Sequence, residues 1–291
     1  MKIYLPTKIT SSIDGYELLL RFQNDLSQLQ NTTIEISFLN IQWFEANLVA
    51  VLGAIIEYLE SKGNTIRIVE YETFIEKTDI LFRNKFFPQH RVSTDRPLLD
   101  SSTQIPYKKF KDYEESLYND YIQNELLNNT DFPRHSTRLG REIRRSIFEL
   151  FENARTHGKC NYIHTCGQFF PTKKKLNITI VDTGKTIVGN VQEYLGKNKN
   201  SSDCIDWAMK MNNTTKTGDI PGGLGLGLIF EFININKGKI QVISSNGYWE
   251  LTNGSVFYTD INFSFSGTIV NLEFILKEGE TYRFHDEPIV F

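Results

Sequence analysis

The chain has no long apolar run, few cysteines and no dense block of one charge, and each shortage removes a class of protein. No stretch approaches the roughly 18 apolar residues of a membrane helix, and Met1-Lys-Ile-Tyr4 lacks a secretory-signal pattern. A cytoplasmic protein without a membrane partner is therefore expected. Three cysteines, Cys160, Cys166 and Cys204, make an odd set without metal-ligand spacing, as expected of reduced thiols. The 32 Lys and Arg are dispersed among 35 Asp and Glu, for a net charge of −3. The dense basic run Lys173-Lys-Lys175 reads as the decoration of a hairpin turn, so no nucleic-acid partner is indicated. The five histidines are scattered and form no cluster.

What is present divides the chain in two. At 291 residues it exceeds one ordinary core. Residues 34–39 read as a strand, Asn47 to Leu59 as a buried helix ended by Gly63, and Thr65 to Val69 as a second strand. Strand, helix, strand predicts a βαβ unit with a parallel pair, within a domain of residues 1–95. Residues 96–106, with Arg96-Pro97 and Asp100 to Pro106, read as a linker. From Lys108 to Leu127 the spacing of Phe110, Tyr113, Leu117 and Tyr121 predicts a helix. A second domain then spans 107–280, leaving 281–291 as a tail.

Three strings in this second half carry the chemistry. The first, Glu149 to Gly158, lies on a predicted helix whose stripe is Leu139, Ile143, Ile147, Leu150, Phe151 and Ala154. Glu149 and Asn153 are four apart, so they share a face one turn apart. A carboxamide oxygen suits Mg²⁺, and a neighbouring carboxylate can polarise a water or hydroxyl. His157 follows one turn later, placed either toward a ligand or as a cap before Gly158. In the second string, Leu176, Ile178 and Ile180 alternate with Asn177, Thr179 and Val181, a half-buried strand ending at Asp182 with Gly184 beyond. A carboxylate at a strand end can accept from an exocyclic amino group. The third string is Gly222-Gly223-Leu-Gly225-Leu-Gly227, leading into the apolar run from Leu228. Such glycines let backbone amides approach an anion ahead of a helix N-terminus.

Two other nucleotide motifs fail. Gly184-Lys185-Thr186 has the tail of a P-loop, but position 179, where the leading glycine belongs, is Thr. A dinucleotide-binding turn needs a strand before its glycines, and here a polar loop, Asn212 to Pro221, precedes them.

Together the strings resemble the GHKL superfamily of ATPases, over residues 105–280. Glu149-x-x-x-Asn153-Ala matches the family's N box, Asp182-x-Gly184-x-Thr186 resembles its Asp-x-Gly-x-Gly box, and Gly223-x-Gly225-x-Gly227 matches its later glycine box. Gly267-Thr268 is similar to the closing strand of the fold, and the extended His157-Gly158 form is most like the anti-sigma-factor serine kinases. The resemblance implies a Bergerat α/β sandwich with helices on one face of a mixed sheet, binding ATP with Mg²⁺. Glu149 would be the general base and Asn153 the metal ligand. Asp182 would hold the adenine amino group with Thr268 nearby, Gly184 would flank the base, and Ile187 would be a further ATP-binding residue. Gly222, Gly223, Gly225 and Gly227 would wrap the phosphates. Residues 188–221 would form a lid carrying Lys216, and Thr186 departs from the box's second glycine. Residues 5–95 resemble a STAS domain, without a Ser or Thr in the Trp43–Leu48 stretch where such domains carry a phosphorylatable residue.

The function expected is Mg²⁺-dependent ATP binding with slow hydrolysis coupled to lid closure. The alternatives are a serine/threonine protein kinase acting on a STAS-type partner and a non-catalytic ATP-gated module. A protein partner is expected through the STAS-like domain or the lid, and a homodimer is compatible with the sequence.

Overall fold

A computed structural model describes residues 1–72, 75–95, 103–210, 224–277, 279, 281–284 and 286–287, with side chains except at 75–78, 157 and 224–228. The first half contains β1 (Lys2–Tyr4), β2 (Lys8–Ile9), α1 (Ile13–Leu26), β3 (Thr33–Ser37), β4 (Trp43–Phe44), α2 (Val49–Ser61), β5 (Thr65–Val69), α3 (Ile75–Arg83) and α4 (Phe86–Gln89). The second half contains β6 (Gln104–Lys111), α5 (Glu115–Tyr121), β7 (Arg134–His135), α6 (Thr137–Asn153), β8 (Tyr162–Phe170), β9 (Lys175–Asp182), α7 (Ile187–Leu195) and α8 (Ser201–Met209). It ends with α9 (Leu224–Asn236), β10 (Lys239–Thr252), β11 (Ser255–Ile275) and β12 (Thr281–Tyr282).

The protein is of mixed α/β class and stacks in four layers. A parallel sheet of order β1-β3-β5 lies outermost, and β3–α2–β5 forms the βαβ unit expected from the sequence. Beneath it, α1 and α2 fill the interval to a five-stranded sheet of order β10-β11-β9-β8-β6. Helix α2 is apolar on every side, which marks a helix enclosed between layers. Residues 49–56 are all buried in it. The far face of the large sheet carries α5 to α9, packed on Leu176, Ile178, Ile180, Val242, Val270 and Leu272.

Four expectations are corrected. The large sheet is not mixed, for all four of its pairings are antiparallel. Gln104–Pro106 are not linker but the start of β6, which pairs with β8 at the sheet's edge; residues 96–102 lie outside the described residues. The helix expected from Lys108 begins only at Glu115, because Phe110 is buried from the strand whereas Tyr113 and Leu117 are 69% and 47% exposed. The apolar spacing had joined residues of two different elements. Finally, 281–291 is not wholly a tail, since Thr281 and Tyr282 pair with Arg134 and His135 ahead of α6.

The β9 strand alternates as expected but is not half-buried. Its odd residues Asn177, Thr179 and Val181 are buried too, against the α1/α2 layer rather than water.

Candidate functional site

Helix α6 is fixed at both ends, and this sets where its polar residues sit. Ser136 caps it, accepting from Leu139 N at 3.1 Å, and the Ser136 N–H donates to Tyr282 O at 2.9 Å. Its stripe is buried as expected, from Leu139 through Phe151. After Asn153 the backbone widens into a π-helical turn, Ala154–Gly158, ended by Lys159 at φ 50°. Such widened turns recur where a helix has to present groups to a ligand.

Glu149 and Asn153 lie half-buried on the last turns of α6, and among the described residues neither side chain records a hydrogen bond or ion pair. The neighbouring acids differ. Glu152 pairs with Arg155 at 2.6 Å, and Arg155 also reaches Glu115 at 2.6 Å. A carboxylate and a carboxamide one turn apart are thus left with unused oxygens.

Asp182 closes the other side of the site. It ends β9, opposite Ile163 of β8 and Thr268 of β11. Only 8% of it is exposed, and burial pushes its carboxyl up to about 7, while the Gly184 N–H and the Thr268 hydroxyl draw it back down. The Gly184 N–H donates to Asp182 Oδ1 at 2.9 Å.

Glycine makes this corner possible. A Cβ on Gly184 would stand 2.2 Å from Gly158 O, and one on Gly158 would stand 3.2 Å from Asp182 Oδ1. Gly267 has φ +146° and would place a Cβ 2.0 Å from Asp182 O. The π-helical turn, the β9 end and the β11 bend therefore meet backbone to backbone around one carboxylate. The Lys185 N–H donates to Gly158 O at 2.6 Å, tying the π-helical turn to the Asp182 loop.

Thr186 stands where the resemblance calls for glycine, and the structure accounts for it. At φ −68° and ψ 153° it needs no glycine, and its hydroxyl caps α7 by accepting from Gly189 N at 2.9 Å. Ile187 comes to the site through its backbone, since its N–H donates to Ser244 Oγ at 2.9 Å. Ser244, fully buried on β10, in turn donates to Gly267 O at 2.9 Å and lies 3.3 Å from Thr268 Oγ1. No motif singled out Ser244, Gly158 or Gly267 as site residues. Gly267 and Gly158 stand inside quoted strings, but a lone serine in a strand carries no signal.

The glycine string resolves into two parts. Lys216, Gly222 and Gly223 lie outside the described residues, as does the His157 side chain. Gly225 and Gly227 are not in a loop but in the first turns of α9. Two anchors fix the direction of that helix. Asn236 at its C-terminal end exchanges hydrogen bonds with Ile275, at 2.8 and 2.6 Å, and Phe232 packs on Phe274. Helix α6, which packs against α9, starts beside Tyr282 and ends beside Asp182. The two helices therefore run in opposite directions, and the open N–H groups of the Gly225–Gly227 turn face the same end of the sheet as Asn153. Of the expected lid, residues 188–210 form α7 and α8, packed beside β10, and 211–221 lie outside the described residues.

Among the described residues, no group of three or more His, Cys, Asp or Glu stands close enough to hold a metal ion, and no helix is long and apolar enough to cross a membrane. No protein-family model and no curated protein matches the sequence.

Proposed function

We propose that the chain binds MgATP at the Asp182 end of the large sheet and hydrolyses it slowly, as a GHKL-type ATPase with a STAS-like N-terminal unit. The observation that carries the reading is the corner where Asp182 is enclosed by the backbones of Gly158, Gly184 and Gly267, at the end of the helix whose last two turns carry the unpaired Glu149 and Asn153. The corner holds one nearly buried carboxylate acceptor with the Thr268 hydroxyl beside it, which suits a planar base with an exocyclic amino group. The unused carboxamide oxygen of Asn153 suits Mg²⁺, which takes few protein oxygens and completes its shell with water and phosphate. Bound there, the ion would neutralise charge on the phosphates.

Asp182 accepts from the amino group in its ionised form, with the Thr268 hydroxyl beside it. The N–H groups of the Gly225–Gly227 turn, at a helix N-terminus, favour the phosphate charge. Glu149 orients a water for in-line attack on the terminal phosphate and takes its proton. Helices α7 and α8 begin the lid, and Ser244 ties the first turn of α7 to the strand beside Asp182. Nucleotide-dependent ordering of such a segment changes the surface offered to a protein partner.

Phosphate release and MgATP affinity, measured for wild type and Glu149→Ala in parallel, test this. The variant should bind MgATP as wild type does and lose about 100-fold or more in turnover. Absence of binding by wild type, or turnover untouched in the variant, sinks the proposal. Transfer of labelled phosphate to a protein in place of its release would convert it to a kinase.

A further inference from the structure

A buried polar row crosses the interface between the α1/α2 layer and the large sheet. Asn47 precedes α2 and is fully buried, and its Nδ2 donates to Thr179 Oγ1 at 2.9 Å and lies 3.2 Å from Asn271 Oδ1. Asn271 donates to Gln241 Oε1 at 3.0 Å, and the Tyr16 hydroxyl of α1 donates to the same oxygen at 3.1 Å. Thr179, Asn271 and Gln241 are fully buried and stand directly opposite one another on β9, β11 and β10. The next residues on that face, Val181, Ile269 and Ile243, are apolar.

The register gives the row its meaning. Three residues along each of these strands stand Asp182, Thr268 and Ser244, which are likewise paired across the sheet. An offset of three is odd, so this second row faces the opposite side of the sheet, about 10 Å away. The three strands that carry the polar row into the N-terminal unit thus carry the site row into the corner around Asp182. A buried amide costs free energy unless partnered, so the row allows one seating of α1 and α2 on these strands. Loss of Asn47 removes one donor from Thr179 Oγ1 and from Asn271 Oδ1, which keep only their bond to each other at 2.9 Å, on the strands that set the spacing of Asp182 and Thr268.

We propose that the N-terminal unit sets the nucleotide affinity of the site in cis, by holding β9, β10 and β11 in register through Asn47 and Tyr16. The inference rests on the ATP-binding reading for its affinity arm, and its structural arm is independent of nucleotide. The experiment uses the full chain with Asn47→Ala, with Tyr16→Phe, and with Ile34→Val as a core change that leaves the row intact. Hydrogen exchange without nucleotide follows the amides of Gly184, Lys185 and Ile187, whose acceptors are Asp182, Gly158 and Ser244. In the two row variants these amides should exchange about fivefold faster or more, and MgATP affinity should fall by a similar factor. Ile34→Val should move neither.

Exchange unchanged in both row variants, or raised equally by Ile34→Val, overturns the proposal. If Asn47→Ala does not fold, Tyr16→Phe decides, since it removes only a hydroxyl. Failure of wild type to bind MgATP would remove the ATPase reading alone, and the exchange comparison would still judge the coupling.

Discussion

Asp182 works against the stability of the fold that holds it. Its carboxyl titrates near 3.8 when unfolded and near 7 when folded, because burial penalises the charge more than Gly184 and Thr268 compensate. Between those values the folded chain holds a proton that the unfolded chain has lost. Stability from this group is therefore full at low pH, falls as pH rises from about 4 to about 7, and stays low above. Asp182→Asn keeps an acceptor for the Gly184 N–H and removes the buried charge. Thermal melts between about pH 4 and pH 8 should show the variant more stable than wild type at the upper end, with a flatter profile. Affinity for ATP should move the other way. In wild type it should strengthen as pH rises through about 7, and in Asp182→Asn it should fall about tenfold or more and lose that dependence. A variant no more stable than wild type at the upper end would mean the carboxyl is compensated by a group other than those facing it here.

The elements around this residue were legible where one local rule decided the outcome. The stripe from Leu139 to Ala154 predicts α6, and the alternation in 176–181 predicts β9; both elements stand. Legibility failed where tertiary contact decided. Phe110 belongs to β6, yet its spacing to Tyr113 and Leu117 mimics a helix, and nothing local reveals that the latter two face water. Asn177 and Thr179 read as a solvent face because the layer that buries them is distant in sequence. In the site, the strings marked Asp182, Gly184 and Asn153, but the approach of Gly158 to Gly184 is a meeting of two elements that only the fold brings together. That approach is testable through Gly184→Ala, whose Cβ would stand 2.2 Å from a backbone oxygen. Neither backbone has a flexible side chain to yield, so the variant should lose about 1–3 kcal/mol in denaturant unfolding. It should also weaken ATP binding more than a stability-matched core change such as Ile180→Val. A neutral result on both readings would show that the corner is looser than the packing implies.

On the scale of the whole molecule, the two halves share a core that the sequence divides. The cluster around α2 runs from Leu5 and Ile36 through Leu52 and Ile55 to Val181, Ile243, Phe265 and Ile269 of the large sheet. The α1/α2 layer is thus the inner lining of the second half as much as the cover of the first, and separation of the halves would expose an apolar sheet face to water. The same arrangement shelters the polar row, whose hydrogen bonds through Asn47 Nδ2, Asn271 and Gln241 hold while the apolar contact stays closed, and Asn47 Oδ1 is left buried without a partner among the described residues. Shared burial of this kind predicts one cooperative unfolding transition in place of two. Leu52→Ala, in the middle of α2, removes a fully buried side chain and should cost about 2–5 kcal/mol. Native-state hydrogen exchange under conditions of global opening locates that loss. With a shared core, the slowest amides of β3 and of β9 drop by the same free energy, though they lie in different sheets. With independent domains, β3 would lose protection and β9 would keep it, and the N-terminal unit would then have no mechanical hold on the site.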